Sequence, residues 1–112
     1  MKIFLFSLFI GLTSQTSFVK VLEKDNFQVL MQQKSQVIDV RTPEEYALGY
    51  IEGAILIDYK ASDFQASISA LNRNITYLIY CRSGNRSGKA SIIMDSLGFK
   101  KIYDLKGGYM NW

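Results

Sequence analysis

The sequence contains no histidine, one cysteine and one proline among its 112 residues. The absence of histidine removes the commonest general base from any reaction the chain carries out. A lone cysteine excludes a disulfide within the chain. The formal charge is only +3 and no basic run exceeds Lys100-Lys101, so the footprint expected for a nucleic-acid partner is missing, while small anions remain suitable ligands. No apolar run reaches the roughly twenty residues of a spanning helix. No repeat, linker or low-complexity tract divides the chain. With 48% hydrophobic and 21% charged residues, the composition is that of one folded domain rather than a disordered segment.

What is present begins with a segment foreign to that domain. Lys2 is followed by the apolar run Ile3 to Leu12 and then by the small polar run Thr13-Ser14-Gln15-Thr16-Ser17. Too short to span a membrane, this pattern reads as a secretory signal peptide over residues 1–17, although a buried N-terminal strand or helix has the same composition. The domain then occupies residues 18–112, about 95 residues, near the lower size for a single core. The expected location is periplasmic or extracellular, with no stable membrane insertion after cleavage. In an oxidising compartment an unpaired cysteine points to an intermolecular bond or a reactive thiol, against the bland alternative of a packed small hydrophobe.

Periodicity places that cysteine. Val19–Leu22, Val37–Val40, Ile55–Ile57, Tyr77–Tyr80 and Ile102–Leu105 are short β-branched or aromatic runs expected to form strands. Between them lie helical signals: Asp25 ahead of Phe27, Leu30 and Met31; the capping box Thr42-Pro43-Glu44-Glu45; a second box at Ser62-Asp63-Phe64-Gln65; and Ser87 to Leu97, stopping at Gly98. Alternating strands and helices imply a parallel α/β sheet covered on both faces. Cys81 thus falls at the carboxyl end of a buried strand, just before a helix. There, backbone N–H groups from Arg82 to Ser87 can curl around the sulfur, Gly84 can take a positive φ, and Arg82 and Arg86 add positive charge. Such surroundings favour a thiolate and so a nucleophile.

The loop Cys81-Arg82-Ser83-Gly84-Asn85-Arg86-Ser87 resembles the active-site loop of the rhodanese family. Three further segments are similar to that family in the same order: Val37-Ile38-Asp39-Val40-Arg41 with Pro43-Glu44-Glu45-Tyr46, Gly49-Tyr50-Ile51-Glu52-Gly53-Ala54, and Leu105-Lys106-Gly107-Gly108-Tyr109-Met110-Asn111-Trp112. The resemblance implies a rhodanese-like parallel β-sheet with helices on both faces and a sulfurtransferase needing no metal or organic cofactor. Cys81 would be the catalytic nucleophile and carry a persulfide. Arg82, Ser83, Gly84, Asn85, Arg86 and Ser87 would bind a small anionic donor such as thiosulfate, and the acceptor would be cyanide, a small thiol or a protein thiol.

Two departures from the family pattern stand out. Tyr50 replaces the usual histidine, which is read as a structural change because a tyrosine does not titrate near neutrality. Relatives often continue beyond the position of Trp112, so a short final helix and an open pocket rim are expected. Asp39 and Arg41 are read as an ion pair tying strand to helix, while Trp112 is a candidate pocket wall. The run Gly84 to Ala90 imitates a phosphate-binding loop but is one residue short and lacks the metal-binding hydroxyl. Asn74-Ile75-Thr76 and Asn85-Arg86-Ser87 match a glycosylation pattern, the second inside the proposed active loop, and both are read as chance. The nearest rivals are phosphatases and arsenate reductases of this fold, which place five residues between Cys and Arg. Four separate Cys81 from Arg86, favouring a sulfur-sized pocket. A sulfur carrier with little turnover is the remaining alternative.

Overall fold

The computed structural model describes residues 19–112, and the expected signal at residues 1–17 lies outside the described residues. The strands are β1 (Val19–Leu22), β2 (Ser35–Asp39), β3 (Ile55–Leu56), β4 (Thr76–Tyr80) and β5 (Lys101–Leu105). They alternate with helices α1 (Lys24–Met31), α2 (Pro43–Ala47), α3 (Phe64–Ser69) and α4 (Asn85–Ser96), and a 3-10 helix at Gly108–Asn111 follows β5. All strand pairs are parallel, in the order β1-β5-β4-β2-β3. Parallel neighbours need crossover connections, which puts helices on both faces as expected.

The two-residue period of the strands divides the core. Ile38, Ile79, Cys81 and Ile102 face one side and pack with Phe64 and Ile68 of α3 and Ala90 and Met94 of α4. Val37, Leu78, Tyr80 and Leu105 face the other and pack with Phe27 of α1 and with Ile51 and Ala54. Central β4 is therefore buried on both sides, which is why Tyr77 to Tyr80 reads as an unbroken apolar run.

Helix ends follow local chemistry where the cap is a side chain. The Thr42 box forms in both directions: Glu45 N–H donates to Thr42 Oγ1 at 3.3 Å, and Thr42 N–H donates to Glu45 Oε1 at 3.0 Å, with Pro43 in the first turn. Elsewhere the expectation needs correction. Asp25 is not a cap; Glu23 holds that position and Asp25 lies in the first turn of α1, where its charge suits the helix dipole. The box at Ser62 does not form, because Asp63 is the N-cap and makes no side-chain capping bond. Helix α4 starts at Asn85 rather than Ser87, since Gly84, at φ 115°, turns the chain directly into it.

Candidate active site

Cys81 immediately follows β4 and is 1% exposed, its sulfur lying beneath the first turn of α4. Gly84 N–H donates to Sγ at 3.1 Å, and Ser87 Oγ lies 3.4 Å from it. The backbone N–H groups of Ser83 and Ser87 also favour the ionised sulfur. Burial pushes the thiol pKa up, but the Ser87 hydroxyl and these three amides more than offset it, so the thiol lies below its ordinary value. The charge that this loop stabilises is held by neutral donors pointing inward.

The amides point inward because the loop's carbonyls are held from behind. Tyr109 N–H donates to Cys81 O at 2.8 Å, and Met110 N–H donates to Arg82 O at 3.0 Å. Gly108 permits this approach: its φ is 63°, and a Cβ there would stand 2.5 Å from Arg82 O and 2.6 Å from Cys81 O. The 3-10 helix is thus a brace for the nucleophile loop. This role of Gly108 was not read from the sequence; the paired glycines after β5 were its only local sign.

The loop's two arginines divide. Arg86 forms a bidentate ion pair with Glu45 at the start of α2, Nη1 to Oε1 at 2.7 Å and Nη2 to Oε2 at 3.0 Å. That pair holds the Glu45 carboxyl at about 2, well below its usual range, and raises the Arg86 pKa further. Arg86 still feels the charge of Cys81 through space, but its hydrogen bonds go to α2 rather than to the sulfur. Glu45 is a site residue that sequence reasoning missed, having been read as part of the Thr42 capping box and not as a partner of Arg86. Arg82 is exposed and lines an open cleft of about 250 Å³ with Arg41, Glu45, Leu48, Gly49, Tyr109 and Met110. Among the described residues it makes no ion pair. Asn85 is exposed at the first position of α4, away from the sulfur's bonding partners.

Around the loop, the expected scaffold role of Asp39 and Arg41 takes a different form. They pair with each other at 2.7 Å, both buried, and Tyr80 Oη donates to Asp39 Oδ2 at 2.7 Å. Arg41 Nη2 donates to Gly49 O at 2.7 Å, and its Cζ lies 4.3 Å from the centre of the Tyr109 ring. The pair ties the end of β2 to the Gly49 turn and to the 3-10 brace, rather than to α2. Tyr50 is half-exposed and stacks on Tyr46 at 4.1 Å, outside the sulfur's contacts, consistent with a structural site. Trp112 is not a wall of the cleft: it packs edge-on against Phe27 at 6.0 Å, and its carbonyl accepts a hydrogen bond from Lys24 Nζ.

Comparison with known proteins agrees with this geometry. The thiosulfate sulfurtransferase GlpE of Pseudomonas fluorescens is 34% identical over 94 residues, covering 83% of this chain and 84% of its own. A rhodanese-like domain protein of Staphylococcus aureus superposes with a TM-score of 0.74 at 30% identity, over 83% of this chain and 90% of its own. A human single-domain sulfurtransferase does so with a TM-score of 0.68 at 26% identity, over 82% and 93%. The rhodanese-like domain family matches residues 23–112, from the cap of α1 to the brace behind the nucleophile loop, and the chain belongs to that family.

Proposed function

We propose that this protein is a sulfurtransferase that moves a sulfane sulfur from a donor such as thiosulfate to a thiophilic acceptor through a Cys81 persulfide. In the first step the Cys81 thiolate attacks the outer sulfur of thiosulfate. The new Sγ–S bond forms as the donor's S–S bond breaks, and sulfite leaves with the bonding pair. In the second step cyanide or a thiolate attacks that outer sulfur and the Cys81 thiolate departs. Neither step needs a proton transfer, which suits a chain without histidine.

The observation that carries this reading is the ring of inward donors from Ser83, Gly84 and Ser87 around a buried Cys81. The donors favour an ionised sulfur and the negative end of a persulfide. Arg82, on the rim, attracts the anionic donor. The sulfurtransferase names of the relatives support the same class. Residues 1–17 are read as an export signal, so the mature protein from a periplasmic or extracellular fraction should begin between Gln15 and Lys20; a product starting at Met1 sinks that part. For the chemistry, mass spectrometry of the purified protein before and after thiosulfate should show the gain of one sulfur atom, removable by a thiol reductant. No gain, or a gain that persists in Cys81→Ser, overturns the persulfide.

A further inference from the structure

The carboxylate of Glu45 is surrounded by the donors of an oxyanion site. Its Oε1 accepts from Arg86 Nη1 at 2.7 Å, from Thr42 N–H at 3.0 Å and from the Thr42 hydroxyl at 3.1 Å, while Oε2 accepts from Arg86 Nη2 at 3.0 Å. A guanidinium fork, a backbone N–H and a hydroxyl together suit the oxygens of a phosphate or sulfate group. Here they close on a carboxylate of the chain itself. Glu45 also lines the open cleft beside Arg82, so this occupied fork stands at the wall of the site.

We propose that Glu45 is a specificity-determining residue: by filling the fork of Arg86 it denies that arginine to free oxyanions, so the site accepts an anion with a transferable sulfur and turns away phosphate, arsenate and sulfate. The inference rests on the proposed sulfur transfer and adds the reason for its selectivity. The Arg86–Glu45 pair carries no net charge, and Arg41 is held by Asp39 at 2.7 Å, which leaves Arg82, without an ion pair among the described residues, to draw an anion to the cleft. Thiosulfate brought there offers its outer sulfur to Cys81 and is retained by the bond that forms. Inorganic phosphate offers no such bond, and its affinity depends wholly on donors to its oxygens.

The pair is fixed at both ends. Glu45 completes the Thr42 capping box at the start of α2, and Arg86 lies in the first turn of α4, so an entering anion has to displace a carboxylate that is anchored beside the arginine. The side chains of Arg86 and Glu45 are 19% and 26% exposed, which leaves the fork within reach of dissolved anions; the exclusion is one of charge and of occupied donors rather than of access. The four-residue spacing between Cys81 and Arg86 limits the width of the cradle, and Glu45 adds a second, independent limit.

Titration of inorganic phosphate with protein, followed by the phosphorus-31 resonance, tests this without any sulfur donor. Glu45→Gln keeps an oxygen for the capping box while removing the carboxylate from Arg86. This variant should bind phosphate about tenfold or more tightly than the parent. The gain should vanish when Arg86→Gln is added. Glu44→Gln removes the same charge from the neighbouring exposed residue of α2 and should change phosphate affinity by less than about twofold. An unchanged affinity in Glu45→Gln, a gain that survives the loss of Arg86, or an equal gain in Glu44→Gln overturns the inference. Should Glu45→Gln fail to fold, Arg86→Lys decides: lysine makes no fork, so an arginine already closed to anions leaves phosphate affinity within about twofold of the parent, and a loss as large as that of Arg82→Ala overturns the inference. A protein that takes no sulfur from thiosulfate but shows this pattern with phosphate keeps the exclusion by Glu45 and loses the proposed function; sulfur transfer without the pattern does the reverse.

Discussion

At the floor of the site, Cys81 is 1% exposed and meets three backbone N–H groups and a hydroxyl; at the mouth, Arg82 stands exposed beside an open cleft. Two of the site's positive charges are used in the scaffold instead. Arg41 is held by Asp39, and Arg86 by Glu45. The floor thus holds its negative charge with fixed dipoles in a buried region, where such donors are strong and need little rearrangement. The mouth attracts an anion with a solvated charge, whose influence is long-ranged but screened. Position in the loop, more than formal charge, decides what each residue contributes.

The sharpest way to break the comparison is at the floor. Cys81→Ser should abolish thiocyanate formation from thiosulfate and cyanide while circular dichroism and the melting temperature stay near those of the parent; transfer at a comparable rate would leave the floor without its nucleophile. Next comes the brace. Gly108→Ala places a Cβ against two backbone carbonyls at a positive φ, so unfolding in urea should show a loss of about 3 kcal/mol or more. Gly84→Ala also sits at positive φ, yet nothing lies within 4 Å of its Cβ, so its cost should be only the backbone strain, about 1–2 kcal/mol. Equal losses for the two would remove the brace from the account.

These glycines also show where the sequence was legible. The five strands could be read from local period, and the Thr42 box from a side chain four residues long in reach, because both depend on neighbours in the chain. Cys81 was placed correctly for the same reason, at the end of an apolar run before a helix. Contacts across the fold carried no such signal. Glu45 meets Arg86 across 41 residues, Gly108 meets Arg82 only after β5 has crossed beside β4, and Asp104 looks like one more residue of a short strand. Even the start of α4 was misplaced by two residues, because a left-handed glycine did the work usually assigned to a Ser, Thr or Asp cap.

Two carboxyl groups then set opposite pH dependences. Asp104 is protonated in the folded protein up to about pH 6 but ionises earlier when unfolded, so stability should fall as pH rises from about 4 to about 6. Asp104→Asn should therefore be more stable than the parent at neutral pH, by roughly 2–3 kcal/mol, and equal stability would show that the carboxyl is not penalised by burial. Glu45 runs the other way: its contribution is complete above the unfolded value near 4.5 and is lost as pH falls toward about 2. Being partly exposed, the pair should contribute about 1–2 kcal/mol, and Glu45→Gln should flatten the melting temperature against pH in that window. The smallest effect belongs to the mouth. Arg82→Ala should raise KM for thiosulfate about three- to tenfold with little change in kcat, and high salt should do the same to the parent. A large fall in kcat would move Arg82 from the mouth to the floor.

The most direct measurement is the midpoint of Cys81 ionisation, followed by the ultraviolet absorbance of the thiolate, at low salt and at about 1 M salt, where the Debye length is only about 3 Å. Held by buried backbone donors, the sulfur should titrate below the ordinary thiol range of about 8.5 at both salt concentrations, in the parent and in Arg82→Ala alike. A midpoint in or above that range, or one that climbs into it when salt is added, would contradict a floor built from backbone dipoles.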